Sequence, residues 1–230
     1  MGINFNKGDM IHGYRITSYL LNHGNFAMAY FAEDLTGRKL FFKEYIEPTS
    51  VRSWYRSFIR YQDRMKKKLA VLPGGCVVES IEYFEERNLY FQVFERIDGS
   101  SLRKMMKKSV DDPGVFPDSL RWDSAKLFMF AISQLHKHGI VHCDLKPENA
   151  FMEKVPGLGI GMRIKMIDFD FSFIHNHPPP WIPRDAAAGR PGFLGTPNYF
   201  SPEHLTGKTP TPASDVFTCG IILYELLCGT

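Results

Sequence analysis

The chain has 230 residues, 44% of them hydrophobic and 23% charged, the proportions of an ordinary globular protein with room for one large domain or two compact lobes. A net charge of +3 leaves no compositional case for nucleic acid or an anionic membrane as partner. Four cysteines, at positions 76, 143, 219 and 228, lack metal-ligand spacing, and the N-terminus has no apolar signal segment, so a reducing, cytoplasmic setting is expected.

Residues 14 to 46 read as three strands, begun by Tyr14-Arg15-Ile16, Ala29-Tyr30-Phe31-Ala32 and Lys39-Leu40-Phe41-Phe42-Lys43-Glu44-Tyr45, with Leu35 to Arg38 as the turn between the last two. A helix is expected from about Val51 to Leu72, its basic run Lys66-Lys67-Lys68 forming a solvated face. Val77 to Phe84 and Asn88 to Phe94 read as an antiparallel pair turning at Glu85 to Arg87. A second long helix runs from near Ser119 to near His138 on a buried stripe of Ala125, Phe128, Ala131, Ile132 and Leu135, with Gly139 as its stop.

His142-Cys143-Asp144-Leu145-Lys146-Pro147-Glu148-Asn149 then forms a loop between two short apolar runs. Asp144 can orient a hydroxyl, Lys146 can offset phosphate charge, and Asn149 with Asp168 can hold Mg²⁺ through oxygen ligands. That combination suits phosphoryl transfer. Glu153 to Arg163, rich in glycine, reads as a surface loop, and the proline-rich stretch beyond Asp168 as an irregular segment. The apolar stretch Ile221 to Leu227 is far too short to span a bilayer.

The loop from His142 to Asn149 closely resembles the catalytic loop of eukaryotic-type protein kinases, and Asp168-Phe169-Asp170 resembles the metal-binding motif that follows it. Gly195-Thr196-Pro197-Asn198-Tyr199-Phe200-Ser201-Pro202-Glu203 resembles the family's peptide-binding and anchoring segment. The resemblance implies an α+β, bilobal fold, with a mainly β N-lobe over residues 1–95 and a mainly helical, partial C-lobe over 96–230. It implies ATP and Mg²⁺ as cofactors and a protein with a Ser or Thr acceptor as substrate, with Asp144, Lys146 and Thr196 as catalytic residues and Asn149 and Asp168 as metal ligands. Nucleotide contacts are implied for Asn22, Gly24, Ala29, Lys43, Phe94, Glu95 and Ile97. Lys43 takes the α- and β-phosphates, Phe94 guards the adenine pocket, and backbone groups of Glu95 and Ile97 bond the adenine edge. Asp215 would brace the catalytic-loop backbone.

The sequence departs from the family pattern at several places. Asn22 and Ala27 stand where the phosphate-covering loop has its first and third glycines. No Glu occupies positions 63 to 65 of the first helix, where the partner of Lys43 belongs, which leaves Asp63 as the preferred carboxylate and Gln62 as a neutral alternative. Cys143 replaces the Arg that pairs with a phosphorylated activation segment, and Asp170 replaces a glycine and is expected to cap a turn. Beyond Thr230 the resemblance calls for further large-lobe helices, so a fragment is expected, completed by a C-terminal domain or a regulatory protein. The second functional reading is a pseudokinase acting as a binding scaffold.

Overall fold

A computed structural model describes residues 4–20, 27–46, 53–157, 159–177, 179, 184–185, 190–191 and 195–228 of the chain. The fold is α+β and bilobal, one compact unit comprising Met1–Lys66 and Val78–Ile97, the other Lys67–Val77 and Asp98–Thr230.

The first unit holds strands β1 (Met10–Ile11), β2 (Tyr14–Leu20), β3 (Ala27–Glu33) and β4 (Lys39–Tyr45), most of helix α1 (Tyr55–Ala70), and strands β5 (Ser80–Glu86) and β6 (Leu89–Glu95). The strands form one antiparallel sheet in the order β1-β2-β3-β4-β6-β5. Alternation of side chains along a strand explains its two faces. Met28, Tyr30 and Ala32 of β3 and Leu40, Phe42 and Glu44 of β4 are buried, while the positions between them on β3 and at Phe41 and Lys43 are half-buried.

The buried face packs Ile16, Met28, Tyr30, Leu40, Phe42, Phe84, Phe91 and Val93 into one core. The Phe42 ring centroid lies 5.9 Å from that of Phe84 and 5.5 Å from that of Phe91, so truncating Phe42 to Ala would cost about 3 to 5 kcal/mol. Glu44 is also fully buried on this side and accepts a 2.8 Å bond from the Tyr30 hydroxyl, the kind of compensation a buried carboxylate requires.

Helix α1 covers part of the other face. Its buried residues Tyr55, Phe58, Tyr61, Gln62 and Met65 follow the three- and four-residue spacing of an amphipathic helix. Phe58 sits with its ring 5.6 Å from Tyr45 and 5.3 Å from Tyr90. Lys67 and Lys68 occupy the last turn, where positive charge suits the helix dipole.

The strand expected from Val77 instead begins at Ser80, because Val77 makes a parallel bridge to Met166 in the second unit. The hairpin turn is also displaced: Arg87 and Asn88 carry φ of 52° and 63°, and Asn is among the residues most tolerant of that left-handed geometry.

The second unit contains β7 (Gly99–Ser101), α2 (Leu102–Asp111), α3 (Asp118–Lys137), β8 (Ile140–Val141), β9 (Ala150–Lys154), β10 (Met162–Met166), β11 (Phe173–Ile174), β12 (Arg184–Asp185), β13 (Arg190–Pro191), α4 (Pro202–Leu205) and α5 (Pro212–Cys228). Helix α2 is capped by Ser101, whose hydroxyl accepts from the Lys104 N–H at 3.3 Å. Phe128, Ala131, Ile132 and Leu135 of α3 are buried, and α3 ends at Gly139, with φ of 70°, a backbone value glycine adopts at little cost. Arg121 of α3 donates to the Phe116 carbonyl, the Ser109 hydroxyl and the Leu226 carbonyl of α5.

Strands β7, β9 and β10 form a small antiparallel sheet, and β8 pairs with β11. β7 can approach β9 only as glycine at position 99, since a Cβ there would run into the carbonyl of Met152. The segment expected as a surface loop from Glu153 to Arg163 is narrower, because both ends are taken into the β9–β10 ladder, with Glu153 opposite Arg163. Among the described residues, no helix is long and apolar enough to cross a membrane.

Candidate active site

The loop from His142 to Asn149 hangs between β8 and β9, and its backbone is fixed from α5. One oxygen of Asp215 accepts the His142 N–H at 2.8 Å, the other the Cys143 N–H at 3.0 Å. His136 of α3 adds its Nε2 at 2.9 Å to the same Asp215 carboxylate. Asp215 is only 2% exposed, so these contacts replace water around the buried oxygens. From the far side, Ser172 donates to the His142 carbonyl at 2.9 Å, while His142 Nε2 lies 3.1 Å from the carbonyl of Ile167.

Held in this way, the loop directs Asp144 at Thr196. Asp144 Oδ1 accepts from both the N–H and the hydroxyl of Thr196, at 3.0 and 2.9 Å, and Lys146 Nζ donates to Asp144 Oδ2 and to Thr196 Oγ1, each at 3.0 Å. Asn149 is buried and donates through Nδ2 to the Asp144 carbonyl at 2.9 Å. Its own carbonyl accepts from the Ile167 N–H at 3.0 Å, which draws the start of the Asp168-Phe169-Asp170 turn to the end of the catalytic loop. Gly195, with φ of 148°, brings the chain past this point: a Cβ would lie 3.1 Å from the Phe200 ring and 3.5 Å from Asp144 Oδ1.

Five of the sequence-derived site residues, Asp144, Lys146, Asn149, Asp168 and Thr196, therefore occupy one neighbourhood of the second unit. Asn149 donates through its amide nitrogen, so its side-chain oxygen could ligate a cation, and Asp168 carries a carboxylate that could join it. Among the described residues, no cluster of three or more His, Cys, Asp or Glu side chains is arranged to hold a metal. An amide and a carboxylate are instead the sparse oxygen set that suits Mg²⁺, which takes its remaining ligands from water and phosphate. Asp168 itself has φ of 64°, whereas Asp170 is not among the residues of positive φ. In this conformation the turn therefore makes no demand for glycine at position 170.

In the first unit, Ala29, Lys43 and Gln92 lie opposite one another on adjacent strands, and the Lys43 ammonium sits 5.4 Å from the centre of the Tyr45 ring. Phe94 is paired with Phe41, their rings 6.3 Å apart. Glu95 commits its N–H to the Glu79 carbonyl at 3.0 Å, and Ile97 follows half-buried. Asn22 and Gly24, the expected phosphate-covering residues, lie outside the described residues.

Cys143, at the position of the missing Arg, is 7% exposed and packs with Val141 and Phe173. Burial, with the Asp215 charge as a second cause, pushes its thiol well above the ordinary cysteine range. This position presents a neutral side chain.

Two clusters escaped the sequence reading. Arg103 of α2 donates to Glu148 at 2.9 Å, to Glu225 of α5 at 2.7 Å and to the hydroxyl of Tyr199, which itself donates to Glu225. Burial, followed by the bond to Glu225, pushes the Tyr199 phenol up. The second cluster joins Gln62, Gln92, Tyr45 and Tyr90 beneath α1. A stripe count from Phe58 through Gln62 would have put that amide on the buried side of the helix.

Residues 20–230 match the family model described as the protein kinase domain. The chain is 30% identical over 226 residues to an SNF1-related protein kinase catalytic subunit alpha of Arabidopsis thaliana, a match covering 96% of this chain and 40% of that protein. It is 28% identical over 226 residues to a serine/threonine-protein kinase of Corynebacterium efficiens, covering 92% and 38% of the respective chains. It is also 25% identical over 213 residues to one of Myxococcus xanthus, covering 91% and 24%. The chain thus spans two fifths or less of the length of these curated relatives.

Proposed function

The chain belongs to the protein kinase family, and from that premise we propose that it transfers the γ-phosphoryl group of ATP to serine or threonine hydroxyls of protein substrates. The observation that carries the proposal is the closed arrangement of Asp144, Lys146 and Thr196. It combines a hydroxyl-orienting carboxylate, a cation and the first residues of a peptide-facing segment in one hydrogen-bonded unit.

In this reading Asp144 aligns the acceptor hydroxyl and takes its proton late in the step, because a carboxylate is a weak base near neutrality. Lys146, already 3.0 Å from Asp144 Oδ2, offsets charge on the transferring group. Thr196 fixes the rotamer of Asp144 and supplies the serine/threonine character of the segment. Asn149 and Asp168 would hold Mg²⁺, which when bound neutralises phosphate charge. Lys43 contacts the α- and β-phosphates, and Phe94, Glu95 and Ile97 receive the adenine. The names of the relatives from Corynebacterium efficiens and Myxococcus xanthus, both serine/threonine-protein kinases, support the same acceptor class.

The test is transfer of labelled phosphate from ATP to a protein substrate by the natural protein, beside its D144A and D168A variants. Loss of transfer in both supports the assignment. Undiminished labelling in both contradicts it, and ATP binding without any transfer by the parent favours a scaffold.

A further inference from the structure

Helix α2 opens against its own dipole. Its first turn carries Arg103 and Lys104 and no acidic residue, although the N-terminal end of a helix disfavours positive charge. Lys104 is exposed to water, whereas the Arg103 side chain is only 21% exposed. What compensates this guanidinium comes from elsewhere in the second unit. Its Nε donates to Glu148 of the catalytic loop at 2.9 Å, and its Nη2 to Glu225 of α5 at 2.7 Å and to the Tyr199 hydroxyl. Tyr199 in turn donates to Glu225, at 2.9 and 3.1 Å from the two carboxylate oxygens.

The cluster borders the proposed chemistry on two sides. Glu148 immediately precedes Asn149, and Tyr199 lies three residues beyond Thr196. Two carboxylates converging beside a tyrosine, one of them with a side chain 46% exposed, are the chemistry that takes up an Arg or Lys side chain. Here that demand is met from within the chain. Leu102 next to Arg103 is fully buried and Ser101 caps the helix, so the guanidinium is delivered from a fixed backbone. A basic side chain of a substrate would have to displace a tethered group, whose effective concentration is on the order of millimolar or above. It would also meet like charge from Arg103 itself and from exposed Lys107, one turn further along the same side of α2.

We propose, on the reading of residues 195–203 as peptide-facing, that Arg103 is a substrate-specificity residue. It fills the acidic pair of Glu148 and Glu225 and closes the peptide site beside Tyr199 to basic side chains, leaving that site to neutral ones. Removing the guanidinium leaves two uncompensated carboxylates and turns the same site into one that selects Arg.

The natural protein and its R103M, R103A, E225Q and R103M/E225Q variants are given peptides with one Ser acceptor, in which Arg or Ala is placed in turn at each flanking position. Phosphate transfer is read as kcat/KM, and fluorescence anisotropy of the labelled peptides reads binding without transfer. R103M keeps an apolar stem and R103A removes it, so if one fails to fold the other still carries the test.

At one flanking position, the parent should take the Ala peptide at least as well as the Arg peptide. R103M and R103A should reverse that order, favouring Arg by about tenfold, the worth of one bond to a charged group, while Ala peptides keep the parent's values. The reversal should vanish in R103M/E225Q and shrink as salt is raised.

The specificity role is overturned if both Arg103 variants lower the values for all peptides in parallel, as a purely structural residue would, if they change none, or if the Arg preference survives R103M/E225Q. A parent that already favours Arg at a position and loses that preference in E225Q has its acids open to substrate, which overturns the role with no variant of Arg103 needed. If the parent transfers phosphate to no peptide, the transfer reading is what fails, and the anisotropy series decides the role of Arg103 by the same criteria. Absence of peptide binding by parent and variants alike overturns both.

Discussion

The N–H and the hydroxyl of Thr196 both donate to one oxygen of Asp144, at 3.0 and 2.9 Å. Lys146 holds the other oxygen and also reaches the Thr196 hydroxyl. Position 196 therefore sets the direction of the carboxylate, a role that needs the hydroxyl rather than the methyl group. D144N should lower kcat by about a hundred- to ten-thousandfold, the range of a positioned proton acceptor. T196V removes two bonds of roughly 1 kcal/mol each and should lower kcat by about tenfold or more, whereas T196S should stay close to the parent. Steady-state rates with a protein substrate check the series, and a T196V rate equal to the parent would remove Thr196 from the catalytic set.

Asp215 illustrates a residue whose role is felt through backbone. It serves the N–H groups of His142 and Cys143 from opposite oxygens, so its loss strands two buried donors at once. D215A should cost about 3 kcal/mol or more in unfolding free energy, since bonds to a buried charge contribute roughly 1.5 to 3 kcal/mol each. D215N keeps one acceptor oxygen and should cost clearly less. Urea denaturation of the three proteins measures this, and equal midpoints for D215A and the parent would show that the loop backbone is held by other means.

These two residues also mark where the sequence was legible. Thr196 stands in the Gly195 to Glu203 segment and Asp215 at the start of an apolar helix, and the resemblance of the chain to protein kinases, not local pattern alone, implied the part each plays. The start of β5 and its turn were misplaced because Val77 and Val78 look like strand residues. In the structure Val77 bridges to Met166 instead, a partner 89 positions away that no local pattern can announce. The buried bond from Gln92 to Gln62 joins residues thirty positions apart, and the bond from the Tyr83 hydroxyl to Asp63 joins residues twenty apart, pairings that no local pattern announces either.

The buried thiol of Cys143 yields a third prediction. Cys76, Cys143 and Cys219 are buried and Cys228 is exposed. Burial raises the Cys76 and Cys143 thiols and pushes Cys219 up to about 12, while alkylation proceeds through the thiolate. A mild alkylating reagent should add a single label, at Cys228, to the native protein, with further labels appearing only on unfolding. Intact-mass and peptide analysis reads the outcome. Rapid native labelling of Cys143 would contradict its packing against Val141 and Phe173. The same neutral side chain gives no charge to a phosphorylated activation segment, so phosphorylated and unphosphorylated protein should turn over at similar rates.

His204 gives the fold a defined acid weakness. It is 8% exposed, stacks on Phe200 with ring centroids 5.0 Å apart, and shares a 2.8 Å bond between Nδ1 and the Ser201 hydroxyl. Burial holds its pKa below the ordinary value of 6.5, although Asp215, Glu203 and Asp144 pull the other way. The folded state therefore prefers the neutral ring, and the unfolded chain binds more protons once the pH falls below that ordinary value. The stabilisation is fully present above 6.5 and is lost as the pH falls from there through the depressed folded pKa. H204Q, which cannot titrate, should flatten this part of the stability curve, so that parent and variant diverge most between about pH 7 and pH 5. Unfolding free energies measured by denaturant across that range check the sign, and a parent that gains stability relative to H204Q on acidification would show that the three carboxylates, not burial, govern the ring.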